Sequence, residues 1–345
     1  MLFNTYNTLF MFIYIRYNLN NRGISMPLLD KPIEQLKTYM GSSPCPSDID
    51  EYWDNMLTKM KEIDSKMELV KADFQVPGVT CYHMYFTGMK NARIHAKVVK
   101  PKRHDDKQYP AVLRFHGYYG NSHYWNDLLN YAFMGYTVVA LDVRGQGGLS
   151  EDPGGYKGTT IKGNIVRGLL DNKENLMFAH IFLDCAQLAG IVMDMDDVDE
   201  NRVGCFGNSQ GGALTIACAA LEPRIKKAAP LHPFLCDYKR VWEMDLAVDA
   251  YDELRYFFRM FDPEHKKEDE IFYQLGYIDL QNISKRIKAK MLVGIGLMDN
   301  ICPPSTCFAA YNKMKCEKEI KVYPDYRHEA MGFFYDEIFQ FMKGL

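Results

Sequence analysis

Arg202-Val203-Gly204-Cys205-Phe206-Gly207-Asn208-Ser209-Gln210-Gly211-Gly212-Ala213-Leu214-Thr215-Ile216-Ala217-Cys218-Ala219-Ala220 is the stretch whose reading decides the fold. Its beginning is a short apolar strand pattern and its end an unbroken apolar helix pattern, with Gly207-Asn208-Ser209-Gln210-Gly211 between them. A serine held in a sharp turn between strand and helix is a nucleophile elbow, in which the turn pushes the hydroxyl out at the carboxyl edge of the sheet. Gly207 and Gly211 are needed there because a Cβ at either position would crowd the neighbouring strand or helix. The helix N-terminus behind Ser209 favours negative charge developing beside it. A bare G-x-S-x-G recurs in many unrelated chains, so the meaning comes from this strand-turn-helix setting.

A serine hydroxyl is a poor nucleophile at neutral pH and needs a base that is itself held by an acid. Downstream, Ala289-Lys290-Met291-Leu292-Val293-Gly294-Ile295-Gly296 reads as a buried strand and leads to Leu297-Met298-Asp299. Glu319-Ile320-Lys321-Val322-Tyr323 reads as another strand, and Pro324-Asp325-Tyr326-Arg327-His328-Glu329 follows as a loop before the last helix. Asp299 is therefore the expected acid and His328 the expected base. The chain order Ser, Asp, His and two loops at strand ends are those of an α/β-hydrolase. Asp325 is the second candidate acid, although it would have to fold back within its own loop. Of the other histidines, His104 and His265 read as solvated, and His83 and His95 as sheet face or core. His116, His123, His180 and His232 compete more closely, since each stands near an expected strand end or insert.

Catalysis by such a serine also needs donors for the oxyanion. The amide of Gln210, directly after the nucleophile, is one by geometry. The second is expected after Ala111-Val112-Leu113-Arg114-Phe115, where His116-Gly117-Tyr118-Tyr119-Gly120 follows; the Tyr118 amide is the candidate, with Gly117 letting the backbone turn.

These residues, with Asp142-Val143-Arg144-Gly145-Gln146-Gly147-Gly148, Gly155-Tyr156-Lys157-Gly158, Gly296-Leu297-Met298-Asp299 and His328-Glu329, resemble the motif set of the acetyl xylan esterase and cephalosporin C deacetylase family, the seventh family of carbohydrate esterases. The resemblance runs from about Met26 to the C-terminus. It implies catalytic Ser209, Asp299 and His328, an oxyanion hole from Tyr118 and Gln210, and deacetylation of small esters such as acetylated xylo-oligosaccharides and cephalosporin C. It also implies a ring-shaped homohexamer whose sites face an interior cavity, excluding polymeric xylan. A general short-chain carboxylesterase, or a peptidase of the same fold, is the alternative; the latter usually carries a propeller, and residues 1–110 show no blade repeats. The chemistry requires no metal or organic cofactor.

Arg144 and Gln146 follow the strand Tyr136-Thr137-Val138-Val139-Ala140-Leu141. Arg144 reads best as a structural residue that pairs a carboxylate and keeps the site loops in register. Glu329 has either a similar scaffolding role or that of an N-terminal cap on the last helix.

The 345 residues, 47% of them hydrophobic, suffice for a large core, and alternating strand and helix patterns point to a mostly parallel, doubly wound α/β sheet. Residues 26–345 are expected to form a single catalytic domain with inserts at about 149–180 and 233–280, the second rich in aromatic residues that serve mainly as core or subunit interface. An antiparallel edge is expected from strands near 66–75, 81–87 and 92–100, after a helix that Ser47 caps. A formal charge of −3 with interspersed signs offers nothing to nucleic acid. Nine cysteines without metal spacing, several in apolar runs, suit a reducing cytoplasm, and Cys205 and Cys218 read as core rather than nucleophiles. The apolar run Thr8–Ile15 is too short to span a membrane, has no basic residue before it and no A-x-A-like site after it. Residues 1–25 are thus expected to be a non-native or disordered extension, with secretion as the alternative.

Overall fold

The structure is a computed structural model that describes residues 29–103, 105, 107–156 and 163–345. The expectations for residues 1–25, for His104 and for Lys157 and Gly158 fall outside the described residues.

Among the described residues, nine strands form one sheet in the order β1-β2-β3-β5-β4-β6-β7-β8-β9. They are β1 Glu68–Lys71, β2 Val79–Thr87, β3 Arg93–Pro101, β4 Tyr109–Phe115, β5 Thr137–Leu141, β6 Val198–Asn208, β7 Lys227–Leu231, β8 Lys290–Gly296 and β9 Lys318–Tyr323. The first three pair antiparallel, and β3 joins β5 antiparallel as well. From β5 to β9 every neighbouring pair is parallel. The antiparallel edge and the mostly parallel α/β sheet are thus as the sequence patterns indicated.

Parallel strands need crossovers, and those crossovers cover both faces of the sheet, so the inner strands are apolar on both sides. β5 is buried at all five positions. Side chains alternate between two cores, as the period of 2 demands. Ala111, Leu113, Val139, Leu141, Val203 and Cys205 face the larger one, beneath the helices Ile49–Lys61, Met177–Met193 and Gln210–Leu221. Val112, Val138, Ala140, Phe206 and Leu292 face the other, against the helices Leu129–Phe133 and Gly332–Met342. Trp53, fully buried in the first layer, also donates its indole N–H to the Tyr277 carbonyl at 3.1 Å. Burying a large apolar side chain of this kind contributes roughly 1.5–3 kcal/mol.

The first of those helices starts at Ile49 with Asp48 at its N-cap and no side-chain cap bond, so Ser47 is not its cap. The Asp48 carboxylate is engaged instead by Lys173 and by the Tyr277 hydroxyl.

Among the described residues of 149–176 there is no strand. Between β7 and β8 lie the helices Tyr238–Glu243, Asp252–Phe261, Glu268–Leu275 and Leu280–Ile283. The aromatic residues of this second segment divide: Phe234, Tyr238, Tyr251, Phe257 and Phe258 are buried, while Tyr256, Phe261 and Tyr273 stay exposed. Among the described residues no helix is long and apolar enough to cross a membrane. All nine cysteines are free thiols.

Candidate active site

β6 ends at Asn208 and a helix starts at Gln210, leaving Ser209 alone in the turn with φ 58° and ψ −117°. A positive φ is uncommon for a residue with a Cβ and is kept only where the surroundings enforce it. Here the Ser209 amide donates to the Leu231 carbonyl at 2.9 Å, and its own carbonyl accepts from Phe234 and Ala213. A Cβ on Gly211 would stand 2.2 Å from the Phe115 carbonyl oxygen, and one on Gly207 2.6 Å from the Gly211 backbone. Backbone cannot yield at such distances, so both glycines are steric necessities of the turn.

The imidazole of His328, in the loop between β9 and the last helix, bridges two partners. Its Nε2 lies 2.9 Å from Ser209 Oγ and its Nδ1 2.8 Å from Asp299 Oδ2. An ionised carboxylate only accepts, so Nδ1 carries the proton and Nε2 is left free to accept from the serine hydroxyl. Asp299 is fully buried in the loop after β8, and its other oxygen accepts the amides of Ile301 and Cys302 at 2.9 and 2.8 Å. Burial opposes ionisation of this carboxyl, but contacts from His232 and His328 outweigh it and hold the group down at about 2. No hydrogen bond joins Asp325 to His328 among the described residues.

The other histidines have separate engagements. His116 Nε2 accepts the Val143 amide at 3.0 Å, and its Nδ1 meets the Gly117 carbonyl at 2.7 Å. His180 contacts the Glu174 carbonyl, and burial pushes its basicity down to about 3. His123 is likewise brought to about 3 by burial and by neighbouring Arg114 and His116. His95 is buried on β3 between His83 at 2.8 Å and Asp142 at 2.5 Å. His265 is partly exposed and pairs with Glu268 at 3.0 Å.

The loop after β4 lies against the elbow: a Cβ on its Gly117 would stand 3.9 Å from the Asn208 carbonyl oxygen. Neither the Tyr118 amide nor the Gln210 amide finds an acceptor among the described residues. Two free N–H groups beside a nucleophile are what an oxyanion requires. The Gln210 side chain is buried and exchanges hydrogen bonds with the Gln146 side chain, whose Oε1 also accepts the Tyr119 amide at 2.9 Å. Gln146 thereby ties the β4 loop to the helix that begins at Gln210.

Arg144 is buried and forms a two-pronged pair with Asp184, Nε to Oδ2 and Nη2 to Oδ1 each at 2.6 Å. Its Nη1 donates to the Met89 carbonyl at 3.2 Å, so one guanidinium links the β5 loop, the helix Met177–Met193 and the turn between β2 and β3. Glu329 accepts the Arg327 amide at 3.0 Å and spans the backbone around His328, while the last helix starts at Gly332 without a side-chain cap.

Three residues escaped the sequence reading. Asp184 sits in an otherwise apolar helix, a charge that signals a partner. Glu253, in the helix Asp252–Phe261, is buried and accepts from the Tyr118 hydroxyl at 2.7 Å and from the amides of Asn164 and Val166. His232, directly after β7, was visible only as one histidine among several, yet it places Nδ1 2.9 Å from Asp299 Oδ2. His232, Asp299 and His328 are also the one group of potential metal donors among the described residues, with ligand atoms within 4.8 Å of one another. Both Asp299 oxygens there already face amide or imidazole nitrogens.

This sheet order, a serine elbow after β6, and acid and histidine in the loops after β8 and β9 define an α/β-hydrolase fold. Within that class, residues 26–345 match the family model described as acetyl xylan esterase (AXE1), and the chain belongs to that family. Acetyl xylan esterase 1 from Thermoanaerobacterium sp. JW/SL YS485 is 56% identical, with a TM-score of 0.90 over 92% of this chain and 99% of that one. An acetyl xylan esterase from Paenibacillus sp. R4 is 36% identical, with a TM-score of 0.87 over 91% of this chain and 99% of the other. The acetyl esterase Axe7A of Xylanibacter ruminicola is 26% identical over 302 residues, 86% of this chain and 65% of the relative, so the chain spans about two thirds of that curated protein.

Proposed function

We propose that this chain is a serine esterase that releases acetate from small O-acetyl esters, acetylated xylo-oligosaccharides and cephalosporin C among them. The observation that carries the reading is the hydrogen-bonded chain from Ser209 through His328 to Asp299. Membership of the acetyl xylan esterase family supports the acyl group and the sugar alcohol.

In this reading His328 Nε2 takes the Ser209 proton as Oγ bonds to the acetyl carbonyl carbon. The carbonyl oxygen becomes an oxyanion and accepts from the Tyr118 and Gln210 amides. Collapse of the tetrahedral species breaks the bond to the alcohol oxygen, which leaves with the proton from His328 Nε2. Water then attacks the acetyl-serine, gives its proton to the same nitrogen, and the second collapse restores the serine hydroxyl and frees acetate. Asp299 stays ionised throughout, keeping the imidazole oriented and stabilising its cation. Gln146, Arg144 and Glu329 hold the loops, and Gly207 and Gly211 permit the turn.

Residues 26–345 act as one catalytic domain in this proposal, with the segments at about 149–180 and 233–280 setting the size of substrate admitted. Nine free thiols support a cytoplasmic location. The exposed Tyr256, Phe261 and Tyr273 support a homo-oligomer, with a hexamer as the reading.

The test is acetate release from p-nitrophenyl acetate, cephalosporin C and acetylated xylo-oligosaccharides by the full chain and by Ser209→Ala. Turnover of all three by the parent and none by the folded variant is expected. Turnover of the nitrophenyl ester alone would leave a general short-chain carboxylesterase, and a folded Ser209→Ala with near-normal activity would refute the mechanism.

A further inference from the structure

We propose that His232 is a positioning residue that shares Asp299 Oδ2 with His328 and thereby limits how strongly the carboxylate holds the His328 imidazolium. The inference rests on the triad reading given above.

His232 follows β7 with a φ of 45°, a conformation that a non-glycine residue keeps only under constraint. Its amide donates to the Gly294 carbonyl at 2.9 Å, which brings the side chain beside the end of β8. The ring is 1% exposed, its centroid lies 5.3 Å from that of His328, and the two planes are inclined by 49°. Nδ1 stands at ion-pair distance from Asp299 Oδ2, 2.9 Å, but neither ring nitrogen has an aligned hydrogen-bond partner. The approach to the carboxylate is therefore oblique: it is close enough for strong electrostatic contact and too bent for a full hydrogen bond.

A carboxylate offers only lone pairs, so the nitrogen facing it must carry the proton. Nε2 is then a buried polar atom without a partner, a state disfavoured relative to a satisfied group. An apolar ring would fill the same space without that cost, so packing alone does not account for a histidine here. What the imidazole adds is a positive N–H pole on the oxygen that His328 uses.

That pole offsets part of the Asp299 charge and weakens its attraction for the His328 cation. His328 becomes a somewhat weaker base toward Ser209 and a somewhat stronger acid toward the departing alcohol. The sign is the same whether His232 is neutral or protonated. The titratable groups facing it are Asp299, from the loop after β8, and His328, from the loop after β9. Cys302 binds the opposite oxygen of Asp299 through its amide.

The experiment is the pH profile of kcat/KM for p-nitrophenyl acetate, measured on the full chain, His232→Phe, His232→Gln and His232→Asn. Asn tolerates a positive φ and can set an amide N–H where Nδ1 stood, so its acid limb is expected to stay with the parent. Phe removes the pole and Gln carries its amide at the Nε2 end, so both are expected to move the acid limb to higher pH. At a fixed pH on that limb the loss in kcat/KM is about three- to tenfold. An unmoved limb in both Phe and Gln variants, with only kcat or melting temperature lowered, overturns the proposal, as does an Asn variant that shifts as far as Phe. If Phe does not fold, Gln against Asn still decides. Ser209→Ala separates the two levels: residual turnover there removes the triad reading itself, whereas an inactive Ser209→Ala with an unmoved His232 limb removes only this inference.

Discussion

Gln146 and Gln210 exchange side-chain hydrogen bonds in both directions, Nε2 of Gln146 to Oε1 of Gln210 at 2.7 Å and Nε2 of Gln210 to Oε1 of Gln146 at 3.0 Å. This clasp joins the loop after β5 to the residue that follows Ser209. Because Gln146 also accepts the Tyr119 amide, it restrains the neighbours of both amides assigned to the oxyanion. Gln146→Ala is expected to lower kcat by about 10- to 100-fold with KM little changed, since the amides would act mainly in the transition state. Steady-state kinetics with p-nitrophenyl acetate measures this; an unaltered kcat would mean that the loops hold themselves.

The choice between the two acids is equally open to test. Asp299 Oδ2 meets His328 and its partner oxygen is held by two amides, whereas Asp325 makes no bond to the imidazole. Asp299→Asn presents an amide where the imidazole needs an acceptor, and a fall in kcat of about 10⁴-fold is expected. Asp325→Asn is expected to stay within a few-fold of the parent. A larger loss at Asp325 than at Asp299 would reverse the assignment.

Stability should respond sharply at Arg144 and Asp184, because the two-pronged pair is almost fully buried. Removing one partner leaves an uncompensated buried charge, a loss of about 3–5 kcal/mol. Arg144→Met and Asp184→Leu are each expected to lose that much in urea unfolding, while the double variant loses much less than the sum. Additive losses would show that the pair is not a coupled unit.

Glu253 predicts a pH dependence of folding. Burial raises its carboxyl to about 7, against the weaker opposing effect of the donors Tyr118, Val166 and Asn164. The unfolded chain ionises this group near its ordinary value of about 4.5, so above that pH the folded state is progressively disfavoured. The loss grows as pH rises through 4.5 toward 7 and is complete beyond, reaching about 3 kcal/mol. In Glu253→Gln this component vanishes, although one donor then faces the new amide group and the variant is weaker at acid pH. Unfolding free energies at acid and at slightly alkaline pH are expected to show the variant gaining on the parent as pH increases. A constant difference would mean that Glu253 titrates normally.

Much of this was legible in the chain itself. The alternation from apolar strand to glycine turn to apolar helix around Ser209 is a local signal, and the β6 elbow lies where it indicated. The antiparallel edge was expected from strands near 66–75, 81–87 and 92–100, and β1 to β3 form it. The assumed Ser47 cap was wrong because a serine before an acidic first turn carries no information about the distant Lys173 and Tyr277 that draw Asp48 into the N-cap position.

Sequence alone determined the strand and helix periods, the elbow and its two glycines, and the order of serine, aspartate and histidine. Each of these depends on neighbours in the chain, through side-chain alternation and through the steric limits of one turn. Only the tertiary structure decided which charges meet. β7 lies beside β8 with Leu231 opposite Gly294, and that register is what delivers His232 to Asp299. The helix Met177–Met193 crosses where Arg144 needs a counter-charge, and the helix Asp252–Phe261 brings Glu253 under Tyr118. Such contacts follow from Coulombic and hydrogen-bond forces that act over a few ångströms between segments remote in sequence, so no local pattern records them until the sheet is assembled.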